Sequence, residues 1–192
     1  MLQNKVRIVG GSFKRTPLTV PNLEGLRPTP DRVREALFNW LGSSIQGARC
    51  LDLFAGTGAL GIEALSRGAA SVVLVETQRR AIESIQNTLG RLKNPANIAI
   101  KAMSAENYLA QTASRFDVIF LDPPFGSDWL SKVAHKLPAL LAPNGVVYVE
   151  AEAAQVWQGW EVRKSGKAGQ VYYHLMALNV ASNASAADSL SD

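Results

Sequence analysis

Short apolar stretches alternate with helical patterns along most of the chain, and this alternation limits the fold more than any other feature. Strands are predicted at residues 48–53, 71–76, 97–102, 116–121 and 146–150. Helices are predicted at 59–67, where Gly68 stops the helix, and at 129–141. Another helix is predicted after the second strand, because Ile82, Ile85 and Leu89 recur on one face. No helix is predicted between the third and fourth strands. The pattern predicts an α/β fold, with a mostly parallel sheet covered by helices on both faces.

The two ends of the chain depart from this alternation. Thr29-Pro30-Asp31 predicts a helix start, with Thr29 as its cap and Pro30 at the first helical position. Residues 160–164 and 171–178 predict an antiparallel hairpin at the sheet edge, because no helix separates them. We therefore expect a basic N-terminal arm (1–28), a main domain (29–178) and a disordered tail (179–192), which is small and polar.

The excess positive charge lies at one end of the chain. Residues 1–34 contain seven basic and two acidic side chains, and the rest of the chain has 13 basic and 14 acidic ones. A basic N-terminal segment of this kind can neutralise the phosphates of a nucleic acid, although a solvated basic surface explains the charge equally well. The candidates for phosphate contacts are Lys14, Arg15, Arg27, Arg32 and Arg34.

Several classes of protein are disfavoured. No apolar run approaches the roughly 20 residues that span a bilayer, and the N-terminus lacks the apolar segment of a signal peptide. The single cysteine cannot form an internal disulfide, and His135 and His174 lack the spacing of metal ligands. We expect a cytoplasmic protein without a structural metal.

The sequence CLDLFAGTGALGIEAL places a glycine-rich turn between a buried strand and a helix. Gly56, Gly58 and Gly61 match a dinucleotide-binding fingerprint, and Glu76 ends the next strand where an acid that binds ribose is expected. Asp52 precedes the glycines, where a carboxylate would repel a pyrophosphate and attract an ammonium group. A methyl donor of the S-adenosylmethionine type therefore fits better than a dinucleotide.

A second motif ends the fourth strand, in FDVIFLDPPFGSDW. Asp122 follows the apolar residues directly, and Pro123 and Pro124 stop ladder pairing and stiffen the chain. Asp122 and Asp52 should meet at the carboxyl edge of the sheet. The segment resembles the DPPF motif of enzymes that methylate exocyclic amino groups of nucleobases. The resemblance implies that Asp122, the backbone carbonyl of Pro123 and the ring of Phe125 hold a base and its amino group.

These motifs resemble those of a known family. RIVGG, LRPTPDRVREALFNWL, LDLFAGTGALGIEALSRGA and DPPF, in this order, are similar to the RsmD family of guanine-N2 methyltransferases, which act on small-subunit ribosomal RNA. The resemblance spans about residues 6–178 and implies a Rossmann-like class I methyltransferase that uses S-adenosylmethionine. After Phe13-Lys14, Arg15 stands where the family usually has a glycine.

The resemblance also implies roles for residues around the donor. They are the loop of Phe54, Ala55, Gly56 and Gly58, the backbone at Ser104 and Ala105 beside adenine, and the segment at Thr29, which would fold over the donor. The expected partner is ribosomal RNA, in a partly assembled small-subunit particle, bound by a monomer. Three alternatives remain: a DNA amino-methyltransferase, a non-catalytic RNA-binding factor and an NAD-dependent dehydrogenase.

Overall fold

A computed structural model describes residues 6–21 and 29–179. Its helices are α1 (Asp31–Leu41), α2 (Ala59–Ser66), α3 (Arg79–Arg91), α4 (Ala105–Gln111), α5 (Trp129–Ala134) and α6 (Leu137–Leu140), with a short 3-10 helix at Gly42–Ile45. Its strands are β1 (Arg49–Asp52), β2 (Ser71–Glu76), β3 (Ile98–Ala102), β4 (Phe116–Leu121), β5 (Leu141–Ala151), β6 (Trp160–Ala168) and β7 (Val171–Leu178).

The strands form one seven-stranded sheet in the order β3-β2-β1-β4-β5-β7-β6. The first five are parallel, and β7 pairs antiparallel with both β5 and β6. The predicted parallel sheet and the terminal hairpin are therefore confirmed. Because the parallel strands share one direction, their carboxyl ends meet at a single edge, which positions the site described below.

Helices cover both faces of the sheet. Apolar residues of α1, α2 and α3 pack on one face together with Val6, Ile8 and Leu18 of the N-terminal arm. Residues of α4, α5 and α6 pack on the other face. Within residues 6–21 and 29–179, no helix is long and apolar enough to cross a membrane.

Two helical predictions are wrong. Helix α4 was not expected, although Ser104 caps it by accepting a hydrogen bond from the backbone N–H of Asn107. The single helix predicted at 129–141 is two short helices, α5 and α6. Pro138 lies in the first turn of α6, where it needs no N–H donor, but its ring disfavours a continuous helix through the preceding residue.

The predicted cap of α1 is also wrong. Pro30, not Thr29, occupies the cap position, and no side chain caps the helix. The hydroxyl of Thr29 is buried and lies instead 3.1 Å from Oδ2 of Asp122 and 2.9 Å from Oε1 of Glu150. Tertiary contacts with two acids thus replace the local cap. Of the predicted tail (179–192), Asn179 donates its backbone N–H to the carbonyl of Gly159 at 2.9 Å, and residues 180–192 lie outside the described residues.

Candidate functional site

The carboxyl ends of β1, β2, β3 and β4 border one cavity. Eleven of the twelve residues predicted to bind the donor or to act in catalysis line it. They are Thr29, Asp52, Phe54, Ala55, Gly56, Glu76, Ser104, Ala105, Asp122, Pro123 and Phe125. Residues separated by up to 96 positions in the sequence thus meet at the edge where the parallel fold was expected to bring them.

The remaining predicted residue, Gly58, does not line the cavity but lies in the turn at the N-terminal cap of α2. It begins α2 with a φ of 76°, a left-handed conformation that glycine adopts easily. Gly61 serves close packing, since a Cβ there would lie 2.3 Å from Cδ2 of Leu74 on β2. Its backbone N–H donates to Oδ2 of Asp52 at 3.0 Å. The glycines and Asp52 therefore fix α2 against the sheet behind the cavity.

The carboxylate of Glu76 holds the glycine-rich loop in place. Its Oε2 accepts a hydrogen bond from the N–H of Gly56 at 2.8 Å. Its Oε1 accepts from the N–H groups of Thr77 and Gln78, each at 2.8 Å. Three of about four acceptor positions are thus used within the protein, and the remaining one on Oε2 can face a ligand in the cavity.

The charges of the lining favour a cationic ligand. Within the described part of the chain, the cavity has three acids, Asp52, Glu76 and Asp122, and no basic side chain. Burial is the main reason that the pKa of Asp52 is raised to about 7, with the charge of Glu76 adding to the effect. A positive charge in the cavity would relieve this repulsion, whereas a pyrophosphate would increase it. These residues therefore fit the ammonium and sulfonium of S-adenosylmethionine.

Several lining residues were not predicted as site residues. Trp129 lies at the start of α5, with its ring centroid 5.7 Å from that of Phe54. Met103, Thr77 and Gln78 directly follow β3 and β2. Their positions just after strand ends could have identified Met103, Thr77 and Gln78 from the sequence. Trp129, seven residues beyond Asp122, carries no such signal.

The DPPF segment is held firmly at the end of β4. Pro123 is buried, whereas Pro124 is exposed. After Phe125, the N–H of Gly126 donates to Oε2 of Glu152 at 2.9 Å, which ties the loop to the residue following β5. Burial, together with the charge of Glu150, raises the pKa of Asp122 well above its ordinary value. The side chain of Asp122 is therefore a constrained acceptor at the wall of the cavity.

The described part of the basic arm, residues 6–21, forms a hairpin whose turn lies away from the cavity. The N–H of Leu18 donates to the carbonyl of Val6 at 2.8 Å, and the N–H of Phe13 donates to Oγ of Ser66 at 2.8 Å. Ser66 ends α2, whose first residue lines the cavity, so the turn lies about 10 Å from it along the helix. Lys14 and Arg15 are exposed in this turn.

Other basic candidates have different settings. Arg15 has a φ of 73°, so the position where the family usually has a glycine adopts the left-handed backbone that favours glycine. Arg32 is exposed on α1, and Arg27 lies outside the described residues.

The prediction that Arg34 contacts phosphate is wrong. Its side chain is fully buried, and its Nη2 donates to the carbonyl of Arg7 at 2.8 Å and to Asp31. Its Nη1 is 3.9 Å from Oε2 of Glu63. The buried residues of α1, including Arg34, Leu37 and Leu41, follow helical spacing, so Arg34 faces the core. Arg34 stabilises the contact between the arm and α1.

Comparisons with known proteins agree with this site. The family model described as Conserved hypothetical protein 95 matches residues 6–177. Ribosomal RNA small subunit methyltransferase D of Escherichia coli (strain K12) is 41% identical over 177 residues, covering 89% of this chain and 89% of the relative. The protein of the same name from Haemophilus influenzae is 39% identical over 181 residues, covering 90% and 94%.

A solved structure gives the same result for the fold. The Escherichia coli protein yhhF, described as a methyltransferase, aligns with a TM-score of 0.82 and 41% identity, covering 92% of this chain and 99% of that one. With the seven-stranded sheet and the site at its carboxyl edge, the resemblance predicted from the motifs is confirmed. This chain belongs to the Conserved hypothetical protein 95 family, the RsmD family of Rossmann-like class I methyltransferases.

Proposed function

We propose that this protein transfers a methyl group from S-adenosylmethionine to the exocyclic N2 amine of a guanine in small-subunit ribosomal RNA. The observation that carries the proposal is that Asp122, Pro123 and Phe125 line the same cavity as the glycine-rich loop and Glu76. An acceptor for an amino group and a binding site for a cationic donor are thus next to each other. Proximity and fixed orientation are a large part of what an enzyme contributes to such a transfer.

The donor would supply a methyl group that the sulfonium already activates. Glu76 would accept hydrogen bonds from the ribose hydroxyls, and Asp52 would attract the ammonium group. Ser104 and Ala105, with Met103 beside them, offer a backbone and apolar surface for adenine. The loop from Phe54 to Gly58 would contact the centre of the molecule.

Asp122 would orient the attacking amine. The N2 lone pair of guanine is delocalised into the ring, so the amine is a poor nucleophile. Acceptors at Asp122 and at the carbonyl of Pro123 draw its N–H groups out of the plane and free the lone pair. Phe125 offers a face on which the base, flipped out of its stack, can lie.

The substrate class follows from the relatives and from the arm. Two relatives more than one third identical to this chain are named as ribosomal RNA small subunit methyltransferases. Lys14, Arg15 and Arg32 are exposed and would bind phosphates, those in the arm's turn at a distance from the reacting base. We expect the enzyme to act as a monomer in the cytoplasm on a partly assembled small-subunit particle.

The test is transfer of labelled methyl from S-adenosylmethionine to naked small-subunit RNA, to assembled small subunits from a strain lacking the enzyme, and to DNA. We expect label in the small subunit, at N2 of one guanine. Label in DNA alone would support an amino-methyltransferase of DNA. Donor binding without transfer to any substrate would support a non-catalytic RNA-binding factor.

A pair of variants tests the role of Asp122. Asp122→Ala should bind the donor nearly normally and lose about 10²-fold or more in single-turnover rate, or roughly 3 kcal/mol. Its melting temperature should change little, because Asp122 lies at the cavity wall and the hydroxyl of Thr29 keeps its hydrogen bond to Glu150. Asp117→Ala is the matched control, since Asp117 lies on the same strand but bonds to Arg49 outside the cavity. A folded Asp122→Ala variant with the control's rate would refute the role.

A further inference from the structure

A chain of four side chains runs from the cavity wall into the core. Oδ2 of Asp122 lies 3.1 Å from Oγ1 of Thr29, which lies 2.9 Å from Oε1 of Glu150. The hydroxyl of Tyr148 donates to the same Oε1 at 2.9 Å. Tyr148 and Glu150 are two residues apart on β5, so they face the same side of the sheet. Thr29, Tyr148 and Glu150 are all buried.

The number of protons limits how these contacts can be made. Thr29 has one hydroxyl proton, so it can donate to only one of its two carboxyl neighbours. Oε1 of Glu150 already accepts from Tyr148 and is best placed to accept from Thr29 as well. Oδ2 of Asp122 must then hold a proton and donate it to Thr29. In this arrangement every contact is a hydrogen bond, and the pair of acids holds one proton.

The surroundings support one proton for the two acids. Burial, the largest cause, raises the pKa of both Asp122 and Glu150, and the charge of Glu150 further raises that of Asp122. The hydrogen bonds from Tyr148 and Thr29, and the charge of Arg34, counteract this at Glu150. Glu150 is therefore the better site for the negative charge. The titratable and charged groups around the pair are Tyr148 on the same strand, Arg34 on α1, Asp52 on β1 and Tyr173 on β7.

We propose that Thr29 and Glu150 are positioning residues that hold Asp122 in its neutral form and draw away the proton released in methyl transfer. This inference rests on the proposed function. Neutral Asp122 keeps its other oxygen, Oδ1, as an acceptor for the guanine amine. Glu150 supplies the base strength of the site without contacting the substrate.

The step balances in protons and electrons. The N2 lone pair forms the nitrogen–carbon bond, the carbon–sulfur bond breaks with its electron pair on sulfur, and the nitrogen loses one proton to Oδ1 of Asp122. The proton on Oδ2 of Asp122 passes to Thr29, and the hydroxyl proton of Thr29 passes to Oε1 of Glu150. Asp122 is neutral before and after, and Glu150 changes from charged to neutral.

The first test compares single-turnover rates at saturating donor. Glu150→Gln keeps an acceptor oxygen for Tyr148 and Thr29 but cannot take the proton, so the rate should fall by about 10²-fold, as for loss of a general base. Thr29→Val removes only the hydroxyl and should fall similarly, whereas Thr29→Ser restores the hydroxyl and should lie within about threefold of wild type. Melting temperature and donor affinity are measured on the same samples.

Two further readouts would not change if the residues had only a structural role. The wild-type rate should rise with pH as Glu150 ionises, and this rise should be absent in Glu150→Gln. In the ligand-free protein, carbon NMR of the carboxyl groups should show Asp122 still protonated at neutral pH. In Thr29→Val the titrations of Asp122 and Glu150 should change together, because the hydroxyl no longer links them.

The outcomes separate this inference from the proposed function. Wild-type rates and an unchanged pH profile in Glu150→Gln and Thr29→Val, with the wild-type enzyme active, would overturn the inference alone. Equal losses in Thr29→Val and Thr29→Ser would also overturn it. Absence of transfer by the wild type would refute the proposed function. The NMR titration would then still decide whether the acids share a proton.

Discussion

Glu76 offers a direct test of how the glycine-rich loop forms the donor site. In Glu76→Gln one oxygen remains, and it can continue to accept from the N–H groups of Thr77 and Gln78. The new amide NH₂ then faces the N–H of Gly56, so a donor meets a donor where a 2.8 Å hydrogen bond existed. The glycine-rich loop therefore loses its hydrogen bond from Gly56 to the side chain of Glu76 at the end of β2.

The expected cost is that of a hydrogen bond to a charged group, about 1.5–3 kcal/mol. If the donor binds to the loop in this hydrogen-bonded position, the cost should appear as a decrease in donor affinity of about 10- to 150-fold. Titration calorimetry with S-adenosylmethionine measures it. The matched control is Glu83→Gln on α3, whose exposed carboxylate pairs with Arg79 and does not line the cavity.

A second ligand separates the loop contact from a ribose contact. If Glu76 also binds the ribose, a donor analogue that lacks a ribose hydroxyl should bind wild type more weakly than the donor does. The Glu76→Gln variant should bind the analogue and the donor with equal affinity. If Glu76→Gln bound the donor with the affinity of the wild type, the reasoning would be refuted. The loop would then form the donor site without this carboxylate.

Four further outcomes are expected. Glu63→Gln should lower the free energy of unfolding by about 3–5 kcal/mol in a denaturant titration, since this buried carboxylate accepts from two arm N–H groups and from an arginine. The raised pKa of Asp52 favours its neutral form in the folded state, so the melting temperature of the wild type should fall as the pH rises from about 4 to 7. In Asp52→Asn this fall in melting temperature should be smaller. Neutralising Lys14 and Arg15 should flatten the salt dependence of RNA binding and leave donor affinity unchanged, and an unchanged slope would contradict their phosphate contacts. Arg15→Gly should stabilise the fold by about 1 kcal/mol, because glycine tolerates the left-handed backbone.

Much of the candidate site could be predicted because it lies where parallel strands end. Asp52, Glu76 and Asp122 each end or directly follow a strand. A parallel sheet therefore brings these acids to one edge, even where the helices between the strands are predicted incorrectly. Short or unusual elements were harder to predict. Helix α4 has only seven residues, too few for a clear apolar period, and only its cap at Ser104 marked it.

Side-chain partners were the least predictable part. Thr29 before Pro30 has the pattern of a helix cap, yet its hydroxyl bonds to two acids that are 93 and 121 residues away. Arg34 belongs by composition to a basic arm, yet helical spacing turns it into the core towards Glu63. For Thr29, contacts with distant carboxyl groups outweighed the local cap pattern. Arg34 instead follows the helical period into the core, where Asp31 pairs with its buried charge.

The sequence by itself determined the alternation of strands and helices, the parallel sheet and the positions of the acids at its edge. These depend on local periodicity and on chain direction, which neighbouring residues carry. Only the tertiary structure decided that Asp122 and Glu150 lie on either side of one hydroxyl, that Glu76 pins the glycine-rich loop and that the arm's turn packs at the far end of α2. Such contacts depend on distances between segments far apart in the chain, which no local pattern specifies.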